Sequence, residues 1–392
     1  MAIKEYFTPT HVYFGEGAEG LAGKVLKDHG ASRVLIHYGT GSVVRSGLLD
    51  KVKASLDEAG ISYTELGGVV PNPRLSLARK GIELYKSEGC DFILAVGGGS
   101  VLDSAKSIGY GAFAGGDTWD FNCGKRVPQG TEPIGCILTL SATGSEMSNS
   151  SVITNDDDPE ITYKRGSNSD YGRVKFALLN PMLTATVPAY QTACGSTDIM
   201  MHTFERYFHQ GYTLDITDEL SYALIRSVIK WTPVALENPD DYDARANLMW
   251  AGSISHNGLM EAGNANRGDW SCHQMEHEIS AEFDVAHGAG LAAIWGSWAR
   301  YVLSECPERF VSLGEAVFGE SDPVKTIGKF EDFFRSIGMP TDIKGLGLDF
   351  DEAACRRAAL GTTFNDARTI GNFKVLGTED VFNIMMMASG LR

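Results

Sequence analysis

The sequence predicts two halves of different class: an α/β N-terminal domain on a mostly parallel sheet over residues 1–187, and an all-α C-terminal domain over residues 188–392. Three observations predict this. Short β-branched runs alternate with helical patterns through the first half, the signature of parallel strands joined by crossover helices. After Pro188 the strand patterns give way to long stretches of helical periodicity. A chain of 392 residues also exceeds what one hydrophobic core usually supports.

Arg33-Val34-Leu35-Ile36-His37-Tyr38 reads as the first strand and ends in Gly39-Thr40-Gly41-Ser42. Leu48, Leu49, Val52 and Leu56 then mark one face of a helix. Ser62–Leu66 is a second strand, closed by the stiff Pro71-Asn72-Pro73 turn, and a helix follows through Leu77, Ile82 and Tyr85. Asp91–Val96 enters Gly97-Gly98-Gly99-Ser100 and another helix; Ile134–Thr139 and Phe176–Asn180 are further strands. Beyond Pro188, helices are expected over 212–236, 242–261, 286–304 and 323–337.

Composition narrows the function classes. A formal charge of −16 argues against nucleic acid or an anionic membrane surface as partner, although a local basic pocket for an anionic cofactor stays compatible with it. The seven cysteines are scattered, with no C-x-x-C pair, as expected of reduced thiols in a cytoplasmic protein. The start, MAIKEYFTPTHVYFG, lacks the basic and apolar regions of a signal peptide. No run approaches the roughly 20 apolar residues that cross a bilayer.

Gly97–Ser100 follows a buried-type strand and opens a helix that contains Asp103. Without Cβ atoms such a loop lets backbone N–H groups approach a ligand, and the helix N-terminus adds positive character. A pyrophosphate fits there; so does a plain turn, and three glycines with a serine favour the phosphate. The G-x-G-x-x-G fingerprint is absent. The Gly39–Ser42 loop has Arg45 nearby and no carboxylate before Asp50. An acid at such a place bonds the ribose 2′-hydroxyl of NAD, so its absence suits the 2′-phosphate of NADP if this loop meets the ribose. Thr139–Glu146 packs hydroxyls and small residues after another strand. Lys164 and Arg165 lie beyond the acidic turn 156–160, where a lone lysine is most simply a surface group.

Asp198 and His202 are four residues apart, hence on one face of a helix. His273 and His277 repeat that spacing after Trp270, and His287 sits in the glycine-flanked turn Ala286-His287-Gly288. Five candidate ligands in two windows suit Zn²⁺, Fe²⁺, Co²⁺ or Mn²⁺, and no cysteine lies where a thiolate site needs one. His11, His29, His37, His209 and His256 have no such company and read as structural.

On these motifs (Gly97–Asp103, Ala142–Glu146, Asp198-x-x-x-His202, His273-x-x-x-His277 and His287-Gly288) the chain resembles the iron-containing, or group III, alcohol dehydrogenases, and their NADPH-dependent butanol dehydrogenase and aldehyde reductase branch. The likeness runs from Phe14-Gly15-Glu16-Gly17 through the helical half and includes Tyr242–Trp250. It implies a dinucleotide-binding domain, a helical metal domain and a cleft between them. By position it implies Asp198, His202, His273 and His287 as ligands of one divalent ion, Fe²⁺ or Zn²⁺, with His277 as a non-ligand that handles substrate or its proton. Gly98, Gly99, Ser100 and Asp103 match the pyrophosphate and nicotinamide loop, and Asp103 would orient the nicotinamide end. Thr139, Thr143, Asn149, Lys164 and Asn72 match further cofactor contacts. Gly39, Gly41 and Ser42 match the 2′-phosphate loop, where Thr40 departs from the glycine of some relatives. A homodimer or larger homo-oligomer is implied.

The expected chemistry is NADP(H)-linked interconversion of small primary alcohols and aldehydes, butanol and butyraldehyde among them. Two alternatives use the same architecture: a dehydroquinate-synthase-like lyase with tightly held NAD, and a metal-binding protein without catalysis. The lyase needs basic residues for a phosphorylated substrate. Near the ligands the sequence offers only Arg206 and Arg267, beside Trp250, Met260, Trp270 and Phe283.

Overall fold

The computed structural model describes residues 5–158 and 163–392. Eight strands occur among them: β1 His11–Phe14, β2 Arg33–Gly39, β3 Ser62–Val69, β4 Phe92–Gly97, β5 Ile134–Leu138, β6 Ser150–Asn155, β7 Tyr163–Asn168 and β8 Phe176–Leu179. Six form one sheet in the order β1-β8-β5-β4-β2-β3, every pair parallel. β4 and β5 are buried along their whole length, which is why they read as unbroken apolar runs rather than as alternating ones.

Successive strand residues point to opposite faces, and each face has its own core. Leu35, Ile93, Ala95, Leu138 and Ala177 pack with Ile82, Leu102, Ala105 and Ile108. Val34, Ile36, Leu94, Val96 and Ile137 pack with Val25, Leu49, Val52 and Leu56. β2 lies between β3 on one side and β4 on the other. The chain therefore leaves β2 in one direction and returns past it, so the loops after β2 and β4 diverge at a topological switch point, where open α/β sheets hold ligands.

Two features are not legible in the sequence. β1 is a four-residue edge strand, too short to carry a pattern. β6 and β7 form an antiparallel ribbon in the register Ser150↔Asn168 to Asn155↔Tyr163, built from largely polar sequence. The far end of the acidic turn expected at 156–160 lies outside the described residues.

From Pro188 onward no strand occurs among the described residues, and the helices include Ala189–Tyr207, Asp215–Glu237, Tyr242–Ser255, Ser271–Phe283, His287–Val302 and Pro323–Ser336. No helix there or elsewhere in the described residues is long and apolar enough to cross a membrane. The chain divides into two compact units. One is Phe7–Val187 with Asp240–Ser253; the other contains Pro188–Pro239 and Ile254–Arg392. Residues 240–253, expected with the helical half, thus group with the sheet. Met249 is fully buried in a sheet core, Trp250 meets Phe14 edge-on at 5.9 Å, and Ser253 Oγ donates to Glu146 Oε1 at 2.5 Å. Periodicity shows that a segment is helical, not which core receives its apolar face.

Candidate metal centre

The helix Ala189–Tyr207 is buried from Thr192 to its end, and Asp198 and His202 on it are each 2% exposed. Asp198 Oδ1 lies 3.4 Å from His202 Nδ1, 3.6 Å from His273 Nε2 and 3.8 Å from His287 Nε2. Asp198, His273 and His287 present ligand atoms all within 4.8 Å of one another. His202 falls outside that trio and joins through its contact with Asp198, its ring stacked on His273 at 4.7 Å.

Whether these residues fit a cation is answered by their unmatched atoms. Asp198 Oδ1, His202 Nδ1 and His273 Nε2 are buried with no hydrogen-bond partner. An unsatisfied buried polar atom costs about 1–3 kcal/mol; here two imidazole nitrogens lie 3.4 and 3.6 Å from the carboxylate oxygen, and a shared divalent ion would satisfy all three. An imidazole and carboxylate set of this kind suits iron or zinc. Burial pushes His202 well below the usual histidine range, helped by His256 and His273, which keeps it neutral and ligand-ready. Burial also opposes charge on His273, yet Asp198 and Glu205 outweigh it and raise the imidazole to about 9.

Two carboxylates that sequence reasoning missed orient the histidines. Glu205 Oε1 accepts from His273 Nδ1 at 3.1 Å and from the His273 backbone N–H at 3.0 Å. Glu276, fully buried, accepts from His287 Nδ1 through Oε2. The one signal in the sequence is spacing: Glu205 is three residues past His202, and Glu276 three past His273. His256, expected to be structural, packs tilted against His202 at 4.1 Å and lies 5.6 Å from Trp270; nothing in its spacing announces that. Trp270 adopts a left-handed φ of 65°, with the Arg206 guanidinium 4.5 Å from its ring. His277 is half-buried, its ring 6.0 Å from that of His287 and outside the ligand trio. Trp250 sits in the α/β unit, and Phe283 packs on Phe350.

The expected cofactor residues lie in the other unit, beyond the carboxyl ends of neighbouring parallel strands. Gly39 ends β2 and Gly41 and Ser42 follow it, Asn72 follows β3, Gly98, Gly99 and Ser100 follow β4, and Thr139 and Thr143 follow β5. A Cβ on Gly99 would come 2.3 Å from Thr143 Oγ1, so the loops after β4 and β5 touch and glycine is what permits it. Lys164 is buried rather than on the surface. It lies opposite Thr154, whose N–H donates to Pro73 O at 2.9 Å, which places the ribbon beside the turn holding Asn72. Asn149 donates to Asp170 at 3.1 Å. Asp103 accepts from Ser145 Oγ at 2.7 Å and from the Val152 N–H at 3.0 Å, so both carboxylate oxygens tie its helix to the segment after β5. Burial raises its carboxyl above the ordinary range. Lys106, unremarked in the sequence, is wholly buried and donates to Ser145 O, Ser148 O and Ser150 O at 2.8–3.1 Å.

A parallel-sheet unit with glycine loops at its switch point, on one chain with a helical unit carrying a candidate aspartate and histidine metal site, is the arrangement expected of a metal-dependent oxidoreductase. The family described as "Iron-containing alcohol dehydrogenase" matches residues 9–181, and "Fe-containing alcohol dehydrogenase family, C-terminal" matches 192–389. The chain belongs to the iron-containing alcohol dehydrogenase family. It is 42% identical over 390 residues to NADH-dependent butanol dehydrogenase A of Clostridium acetobutylicum, covering 97% of this chain and 98% of the relative. It is 35% identical over 353 residues to the NADPH-dependent aldehyde reductase YqhD of Escherichia coli, covering 87% and 88%. The crystal structure of NADH-dependent butanol dehydrogenase A from Thermotoga maritima superimposes with a TM-score of 0.94 at 36% identity over 99% of both chains.

Proposed function

We propose that this alcohol dehydrogenase interconverts small primary alcohols and aldehydes, such as butanol and butyraldehyde, with NADP(H), at a divalent ion held by Asp198, His202, His273 and His287. The observation that carries the site is that two partnerless buried imidazole nitrogens, of His202 and His273, lie 3.4 and 3.6 Å from the partnerless Asp198 Oδ1. The substrate class is supported by the names of the relatives and by Trp270 and His256 beside the ligands. The lyase and non-catalytic alternatives find no support among those relatives.

When bound, the ion supplies Lewis acidity toward a substrate oxygen, and the nicotinamide supplies or accepts hydride. The chain's own residues do the rest. Asp198 and the three histidines fix where the substrate oxygen is held. His277, close to the trio and half-exposed, passes the proton between that oxygen and solvent. Gly98, Gly99 and Ser100 admit the pyrophosphate close to backbone. Asp103 and Lys106 hold the segment containing Thr143 and Asn149 in shape.

For the cofactor, the relatives' names include both NADH and NADPH. The loop after β2 favours NADP(H): it has no carboxylate before Asp50, and the Arg45 guanidinium folds back to within 3.1 Å of the Cβ position of Gly41. The test is kcat/KM for butyraldehyde reduction with each cofactor. A preference for NADPH of about tenfold or more is expected, one charge-assisted phosphate contact being worth about 1.5–3 kcal/mol. A preference for NADH overturns the cofactor assignment. Full metal loading with no turnover of any simple aldehyde overturns the substrate class.

A further inference from the structure

We propose that Glu205 and Glu276 are positioning residues of the metal centre, each fixing one histidine so that its Nε2 faces Asp198. An ionised carboxylate only accepts hydrogen bonds, so Glu205 requires the proton of His273 on Nδ1, and Glu276 requires the same of His287. The lone pair of each ring is then left on Nε2, the atom nearest Asp198 Oδ1 in both cases.

The arrangement is a relay along three consecutive ligand-bearing helices. Glu205, from the helix that carries Asp198, reaches forward to His273 on Ser271–Phe283; Glu276, from that second helix, reaches forward to His287 at the start of His287–Val302. Glu205 also accepts the His273 backbone N–H, serving a helix whose N-cap residue, Trp270, makes no side-chain cap bond. Glu276 is held in turn by Ser280 Oγ. Gly290 makes room for it, since a Cβ there would lie 2.9 Å from Glu276 Cγ. Among the described residues no such carboxylate meets His202, whose ring stacks on His273 and packs tilted against His256. It is also the expected ligand that stands outside the trio. Two histidines are thus set by hydrogen bonds and the third by ring packing.

The inference rests on the metal-site reading, and its test separates the two. Chelator-stripped protein is titrated with Co²⁺, following the d–d spectrum, for wild type and the Asp198→Ala, Glu205→Gln, Glu205→Ala, Glu276→Gln and Glu276→Ala variants, with metal-free melting curves as a check on folding. Removing a carboxylate behind a ligating histidine weakens metal binding about 10–100-fold. The alanine variants are expected near the upper end with an altered spectrum. The glutamine variants, which keep an acceptor for Nδ1–H but lose the charge, are expected near the lower end. Alanine variants that fold and bind Co²⁺ with wild-type affinity and spectrum overturn the proposal. If they do not fold, glutamine variants unchanged in both readouts overturn it. Wild-type Co²⁺ binding by Asp198→Ala instead refutes the metal site itself.

Discussion

A Cβ on Gly288 would lie 2.1 Å from the carbonyl oxygen of Cys194, so the helix beginning at His287 meets the helix carrying Asp198 backbone to backbone. That approach brings His287 Nε2 to 3.8 Å from Asp198 Oδ1. Gly288→Ala forces the helices apart. Overpacking of this kind costs about 1–3 kcal/mol, and here the displacement falls on a ligand. The melting temperature is expected to drop, and metal content after dialysis to drop with it. Full metal retention in the variant contradicts the reading of this contact.

His277 lies one helical turn past His273 but outside the trio. His277→Ala is expected to lower turnover about a hundredfold, within the range for loss of a general acid or base, while elemental analysis finds metal at the wild-type level. Loss of metal from this variant makes His277 a ligand. His273→Ala, by contrast, is expected to lose metal and activity together.

Lys106 donates to three backbone carbonyls of the segment following β5, at Ser145, Ser148 and Ser150. Lys106→Met removes the donor that these carbonyls share, only Ser145 O keeping another, the Ser148 N–H at 3.4 Å. A fall in stability of about 3 kcal/mol, read from denaturant midpoints, follows from the cost of unsatisfied buried carbonyls. The KM for the nicotinamide cofactor should rise, with metal content unchanged. An unaltered cofactor KM contradicts the link between Lys106 and the cofactor segment.

The two-part architecture and the four candidate ligands are legible in the amino-acid sequence. The four-residue spacing of Asp198 and His202 puts both on one face of any helix, and the glycine loops stand where strands with unbroken apolar runs end. The hidden parts are tertiary. Glu205 and Glu276 act through hydrogen bonds to histidines on another helix, and a single sequence carries no mark of which carboxylate finds which ring. His256 reaches His202 only because of how its turn folds. Tyr242–Ser255 shows helical periodicity that fits either core, and Met249 decides the matter by packing on the sheet.

His37, on β2, is fully buried between Leu66 O at 2.9 Å and Ser104 Oγ at 2.8 Å. Burial lowers it to about 4, the Leu66 contact offsetting this only partly. Because the folded value lies below the ordinary 6.5, the unfolded chain binds more protons between the two. Stability from this site is complete above pH 6.5 and lost as pH falls through about 4. The shift corresponds to about 3 kcal/mol. Denaturant midpoints of wild type and His37→Asn measured from pH 7 to pH 4 should converge by that order; a constant gap contradicts the assignment.

The central claim, that reduction depends on the ion at Asp198, His202, His273 and His287, is tested most directly by following NADPH absorbance with butyraldehyde before chelation, after chelation, and after adding back Fe²⁺ or Zn²⁺. The account predicts consumption that stops on chelation and returns with one of the two ions in wild type but not in Asp198→Ala. Consumption that continues undiminished in metal-free protein contradicts it.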